Sequence, residues 1–317
     1  MRSRCLMCRL RHHPAECEVF VLTKTRLKSQ SARKYGFVYF MLLPTFLYLL
    51  VFQAYPLIES LRLSFTDLSL LVPGSGKYIG VQNYVKLLTE DANFQPILLN
   101  TFKWVLCTTP LQILAGLAAA LVLNQKLRLR GLWRGLAMAP WVTPMVITGL
   151  MWKWIFDGGY GLLNYYLGTS HVWLGDESTL WPALFLVSVW KGFPYVTVML
   201  LAGLQGIPGD LYEAAAIDGC GMFKKWRYVT LPSLMPVIRV TTLLIFIQQW
   251  TRFELVWSLT QGGPGYRTSM LQTYVYTKSF RFYQLGEGSA VAVISALLVM
   301  LVMIVYLRLM MSTEEGS

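Results

Sequence analysis

The sequence predicts an all-α polytopic membrane protein with six transmembrane helices. Three observations lead there. The chain is 55% hydrophobic, with a mean hydropathy of +0.48 and only 14% charged residues, against roughly 25% charge in a soluble domain. Four long stretches, Tyr35 to Ile58, Trp104 to Gln125, Gly135 to Trp152 and Ser289 to Leu307, carry no charge, and a bilayer-spanning helix needs about 20 mostly apolar residues. Lys and Arg are also divided unevenly between the two sides of such a bundle, as membrane insertion requires.

Taken in order, the helices are expected at about 36–58, 102–125, 134–155, 179–203, 233–258 and 285–308. Two of them are apolar but interrupted. Ser178 to Gly209 contains Lys191, and Ser233 to Ser258 contains Arg239, Arg252 and Glu254. The longest external loop, Glu59 to Asn100, turns at Pro73-Gly74-Ser75-Gly76. A second, Phe156 to Thr179, is rich in glycine, and a third passes through Gly262-Gly263-Pro264 to Phe280. One membrane domain, residues 35–309, accounts for all of this, flanked by tails at 1–34 and 310–317.

Orientation follows from the cations. Seventeen Lys and Arg fall in the N-terminal tail, in the loop Lys126–Arg134, in the loop 205–232 and at Arg308. Only six, Arg62, Lys77, Lys86, Arg267, Lys278 and Arg281, fall on the other side. Both termini and the 205–232 loop are therefore expected to be cytoplasmic. The tail alone supplies +7 of the formal net charge of +12. A basic, disordered tail before a first membrane helix is what insertion demands, so the charge gives no nucleic-acid function. Cys5, Cys8, His12, His13 and Cys17 fit no standard zinc spacing, and Cys107 and Cys220 give no disulfide framework. No cofactor and no metal are expected.

The polar island from Asp210 to Pro232, set between two apolar segments, is the most informative part of the chain. Asp210 and Glu213 have capping-box spacing, which predicts a helix start. Gly219 and Gly221 predict its end and a sharp bend. Phe223, Trp226 and Val229 share one face of a second short helix, which Pro232 is expected to close while it fits the first turn of the next segment. A small helix-turn-helix at the membrane surface, without catalytic residues, reads as a docking device for another protein.

The island also resembles the Glu-Ala-Ala loop of binding-protein-dependent importers of the ATP-binding cassette class. Glu213, Ala214, Ala215, Gly219, Val229, Leu231 and Pro232 fall in register with that pattern. Val229 stands where Ile is usual, and Cys220 where Ala commonly follows the glycine. Leu259, Thr260, Gly262, Gly263, Pro264, Thr268, Tyr276 and Phe280, together with Tyr55-Pro56-Leu57 and Gly80-Val81-Gln82-Asn83-Tyr84, resemble the first permease of the maltose and glycerol-phosphate type. The resemblance implies the type I importer transmembrane fold in a prokaryotic plasma (inner) membrane. It also implies a second permease forming a heterodimer, two ATPase subunits and an extracytoplasmic solute-binding protein. In that scheme Glu213, Ala214, Ala215, Asp218, Gly219 and Pro232 couple the chain to the ATPase.

No Gly-x-x-x-x-Gly-Lys-Ser/Thr occurs, and Gly74-Ser75-Gly76-Lys77 is only a fragment of one, so ATP hydrolysis is assigned to a partner. Polar groups at membrane depth face cavities or partner helices. Gln248, Gln249, Trp250, Arg252, Phe253 and Glu254, with Trp190 and Lys191, are therefore candidates for the substrate pathway. Aromatic rings there would stack on a sugar, and Gln and charged groups would meet its hydroxyls. The alternatives are a non-sugar polar solute such as a glycerol phosphate, and a secondary transporter or channel, which would need no docking island.

Overall fold

A computed structural model describes residue 35 and residues 38–314, with side chains through residue 310. The basic tail, its Cys5, Cys8, His12, His13 and Cys17, and the last residues of the C-terminal tail lie outside the described residues. The chain divides into two units, one ending at Ser60 and the other beginning at Leu61. The first holds most of α1 (Val38–Leu63), whose side chains are exposed, Phe40, Phe46 and Phe52 among them. An apolar surface of that length belongs against lipid or protein.

Among its described residues the second unit consists of helices joined by turns and loops, with an isolated bridge between Thr66 and Tyr78. Its helices are α2 (Gln82–Thr89), α3 (Phe94–Leu123), α4 (Arg130–Val142), α5 (Met145–Ile155), α6 (Leu162–Leu167), α7 (Glu177–Gln205), α8 (Gly209–Ile217), α9 (Met222–Trp250), α10 (Glu254–Thr260), α11 (Leu271–Tyr276) and α12 (Leu285–Glu314). Asp176 caps α7 by accepting from the Ser178 amide at 2.8 Å. A π-turn at Thr277–Arg281 follows α11.

Two expected spans take a different form. The third, expected over 134–155, is two helices, α4 and α5, bent by 93°. Pro144 offers no amide to the ladder and drives Thr143 into extended backbone (φ −60°, ψ 128°), so the helix cannot continue. The fifth, expected over 233–258, stops at Trp250, where the Thr251 hydroxyl bonds back to the carbonyls of Ile247 (3.1 Å) and Gln248 (3.4 Å). Its start is earlier too, at Met222. Pro232 sits in the first turn of the stretch that begins at Leu231, as expected, but the short helix before it does not end there. A π-turn at Trp226–Thr230, in which the Leu231 amide reaches the Trp226 carbonyl, carries the helix through the proline without interruption. The C-terminal tail expected from residue 310 is helical through Glu314.

The interior is built where α3 and α7 lie against each other at glycines. A Cβ added at Gly192 would overlap the Gln112 amide, and one at Gly116 would overlap Val196. Gln112 Nε2 donates to the Ser188 carbonyl (2.8 Å), the Ser188 hydroxyl donates to Gln249 Oε1 (3.2 Å), and Gln249 Nε2 donates to Gln112 Oε1 (3.2 Å). This closed ring of amides joins α3, α7 and α9. On one side of it pack Ala120, Val196, Leu200, Leu234 and Ile245. On the other pack Trp104, Leu184, Trp250, Leu255 and Tyr274.

The far end of the bundle from α8 is pinned by charge. Asp91 accepts from the Tyr274 hydroxyl and pairs with Lys278 at 3.1 Å, while Lys278 also reaches Glu287 at 2.8 Å and Lys86 pairs with Glu287. Burial alone would push Asp91 up, but the Tyr274 hydrogen bond and the Lys278 charge outweigh it and hold the carboxyl below the usual range. Burial would lower Lys278, yet its bonds and charge pairing with Glu287 and Asp91 raise it.

Two outcomes follow. Gly116→Leu should force α3 from α7 and destabilise the protein by about 2 kcal/mol, a typical overpacking penalty, read as a lower thermal midpoint in detergent. Asp91 has a depressed folded pKa, so its contribution is present above the ordinary carboxylate range and is lost as pH falls through the lower folded value. Stability measured by thermal unfolding should hold down to about pH 4 and then drop. In Asp91→Asn that part of the acid drop should vanish.

Candidate functional site: a docking elbow and a membrane cavity

Two groups of residues stand at opposite ends of α9. The first is the elbow formed by α8, the turn after it and the start of α9. Pro208, in extended backbone, precedes α8, and its side chain makes no cap. The expected Asp210–Glu213 capping box is absent because the helix already begins at Gly209. Asp210 sits inside the first turn instead, where its charge complements the free amides of the helix end. At the other end the Cys220 amide bonds to the Ala215 carbonyl (2.9 Å) and the Gly219 amide to the Ala216 carbonyl (3.1 Å). This is a Schellman closure, and Gly219 takes the left-handed φ of 72° that it requires.

The Tyr212 hydroxyl meets the Thr230 hydroxyl at 3.0 Å and ties α8 to the π-turn. That contact fixes which face of α8 turns inward. Ala215 is buried on that face, so its methyl packs within the elbow and is not offered to a partner. Glu213, Ala214, Asp218 and Gly219 are exposed, as is Pro232 in the first turns of α9. Beside them the elbow presents Ile217, Met222 and Phe223, which are 88%, 87% and 76% exposed. Ile217 and Met222 escaped the sequence reasoning. The available signal was an apolar side chain next to a helix-ending glycine, where nothing local could bury it.

The second group lies where α9 ends. Gln248, Thr251, Arg252, Phe253 and Glu254 line an open cavity of about 310 Å³. The Arg252 guanidinium reaches Met145 Sδ at 4.0 Å, and its Nε is enclosed without a hydrogen-bond partner. Phe253 stacks on Trp257 at 5.4 Å between centroids. The other four candidates point elsewhere. Gln249 is 1% exposed and belongs to the amide ring described above. Trp250, 2% exposed, donates from Nε1 to the Ser295 hydroxyl at 3.0 Å. Helical spacing explains the split, because adjacent residues on α9 face about 100° apart.

Lys191 is buried against the break in the third span. Its ammonium donates to the carbonyls of Pro140 (2.9 Å), Trp141 (3.0 Å) and Thr143, and so caps the end of α4. Trp190 meets Trp152 edge-on at 5.6 Å. Both residues shape the break and neither lines the cavity. Gln112 and Ser188, which orient Gln249, carried only the weak signal of polar side chains within apolar helices.

Comparison with known proteins identifies the family and the fold. The trehalose/maltose transport system permease protein MalF of Thermococcus litoralis is 36% identical over 278 residues, covering 85% of this chain and 92% of that protein. The sulfoquinovosyl glycerol transport system permease protein SmoG of Agrobacterium fabrum is 33% identical, covering 86% of this chain and 90% of that one. In structure, a chain of a bacterial alginate ABC transporter, crystallised with an alginate pentasaccharide-bound periplasmic protein, superposes with a TM-score of 0.76 at 20% identity, covering 87% of this chain and 94% of that one. Residues 112–312, which contain both the elbow and the cavity, match the family profile described as the binding-protein-dependent transport system inner membrane component. This chain belongs to that family and is a multi-pass membrane protein of the permease class.

Proposed function

We propose that this chain forms half of the translocation pathway of an ATP-binding cassette importer for a carbohydrate. The elbow carries the reading. Ile217, Met222 and Phe223 lie exposed beside Glu213 on a segment closed by its own backbone turns. An apolar cluster with a charged rim marks a protein contact. Its occupant is an ATPase subunit, one of two in the assembly. A second permease completes the pathway as a heterodimer, and an extracytoplasmic solute-binding protein delivers the cargo. The elbow and both termini face the cytoplasm of a prokaryote, in keeping with the excess of Lys and Arg on that side. The names of the relatives, trehalose/maltose and sulfoquinovosyl glycerol, support a carbohydrate. A glycerol phosphate is the alternative within the class.

The geometry supplies a mechanism. From Met222 to Trp250 the helix is unbroken over 29 residues, about 40 Å at 1.5 Å per residue. ATP-driven movement of the elbow therefore displaces the far end of the same rod, where Gln248 and Arg252 line the cavity. Inward-open and outward-open states then differ in their affinity for cargo, which is the only way a ligand and a motor can be coupled. In the cavity Phe253 offers a ring to the apolar face of a sugar, and Gln248, Arg252 and Glu254 meet its hydroxyls.

Glu213→Lys or Gly219→Asp should leave the protein inserted while uptake into membrane vesicles falls at least about tenfold, equivalent to about 1.4 kcal/mol of coupling. At Gly219 the side chain also meets the left-handed backbone, which Asp adopts more readily than most residues, so the added negative charge carries most of the effect. Normal uptake by either variant would remove the elbow from the mechanism. Gln248→Ala with Glu254→Ala should raise the cargo concentration for half-maximal transport about tenfold with ATPase docking intact. Unchanged transport would take the cavity out of the pathway.

A further inference from the structure

A second built feature lies on the elbow side of the bundle, between the last turns of α3 and the first turns of α4. An open groove of about 720 Å³ runs there, within the roughly 300–1,000 Å³ of small-molecule sites. Ala118, Ala119 and Val122 form one wall, and Trp133, Leu136 and Ala137 the other. Trp133, Leu136 and Val122 are about half exposed, so the groove is apolar and uncovered among the described residues.

Four cations lie in the segment that joins the two walls, beside Leu127 and Trp133, which line the groove. Lys126, Arg128 and Arg130 are exposed, while Arg134 is half-buried with its Nε enclosed and unbonded. The connection from Asn124 to Arg134 contains no acidic residue. Among the described residues, none of the four cations forms an ion pair. The start of α4 adds to the positive field, with no acid in its first turn and no side-chain cap.

Greasy slot and unpaired cations together match one kind of molecule. We propose that this groove binds an anionic glycerophospholipid of the surrounding membrane, an acyl chain lying between α3 and α4 and the phosphodiester headgroup lying under Arg128, Arg130 and Arg134. Free phosphate would leave the apolar walls bare. An apolar protein helix would fill the walls but leave four cations unanswered. Basic clusters beside membrane helices on the cytoplasmic side attract anionic headgroups at about 1 kcal/mol per Lys or Arg. The proposal does not depend on which solute is carried.

The test uses the assembled transporter in nanodiscs offering phosphatidylglycerol and phosphatidylcholine together, with native mass spectrometry reading the lipids retained. Phosphatidylglycerol should be retained in preference. Arg128→Gln with Arg130→Gln should weaken that retention about 30-fold, while Arg128→Lys with Arg130→Lys should keep most of it. Ala119→Trp with Ala137→Trp, which fills the groove and leaves every charge in place, should also release the lipid. Equal retention of the two lipids would overturn the proposal. So would wild-type retention of phosphatidylglycerol by the Gln pair or the Trp pair. Loss of the second permease from the Trp variant would overturn it as well, because the groove would then be covered by protein.

Discussion

The amide ring of Gln112, Ser188 and Gln249 is the interaction on which the arrangement rests. It is buried, it closes on itself, and it ties α3, α7 and α9 at one depth. A half-satisfied amide in an apolar bundle would cost more than no amide at all. Three helices that each supply one member therefore have one mutual rotation that satisfies all three. The glycines at 116 and 192 make that rotation possible by letting α3 and α7 approach. With α9 so fixed, Gln249 and Trp250 turn inward, and Gln248 and Arg252 are left facing the cavity.

The break between α4 and α5 is the second constraint. A proline ends the first half, and the freed carbonyls would be left without donors at membrane depth. Lys191 supplies the donors, and those carbonyls offset the cost of burying its charge. The same bend brings Met145, at the start of α5, against Arg252. The wall near the cavity is thus set by a lysine on a neighbouring helix.

Much of this was legible in the sequence. Hydropathy and the absence of charge mark the spans, and the Glu213–Pro232 spacing marks the elbow, because both are local properties of the chain. What stayed hidden depends on partners distant in sequence. Nothing beside Gln249 says that Gln112 will claim it, nor that Lys191 will point at carbonyls some fifty residues earlier. Pro144 and Pro232 show the limit most clearly. One lies within an apolar segment and the other at the start of one, yet the first breaks a helix by 93° and the second is absorbed by a π-turn. The outcome rests on whether the preceding turn can widen, which residue type alone does not encode.

The unbroken run from Met222 to Trp250 also works in reverse. Coupling between two sites on one rigid element is reciprocal in free energy. If a motor at Met222 biases the cavity at Gln248, then a molecule held at Gln248 must bias the motor's hold on Met222 by an equal factor. A full cavity would thereby report itself to the nucleotide machinery through the same helix that empties it, with no separate sensor.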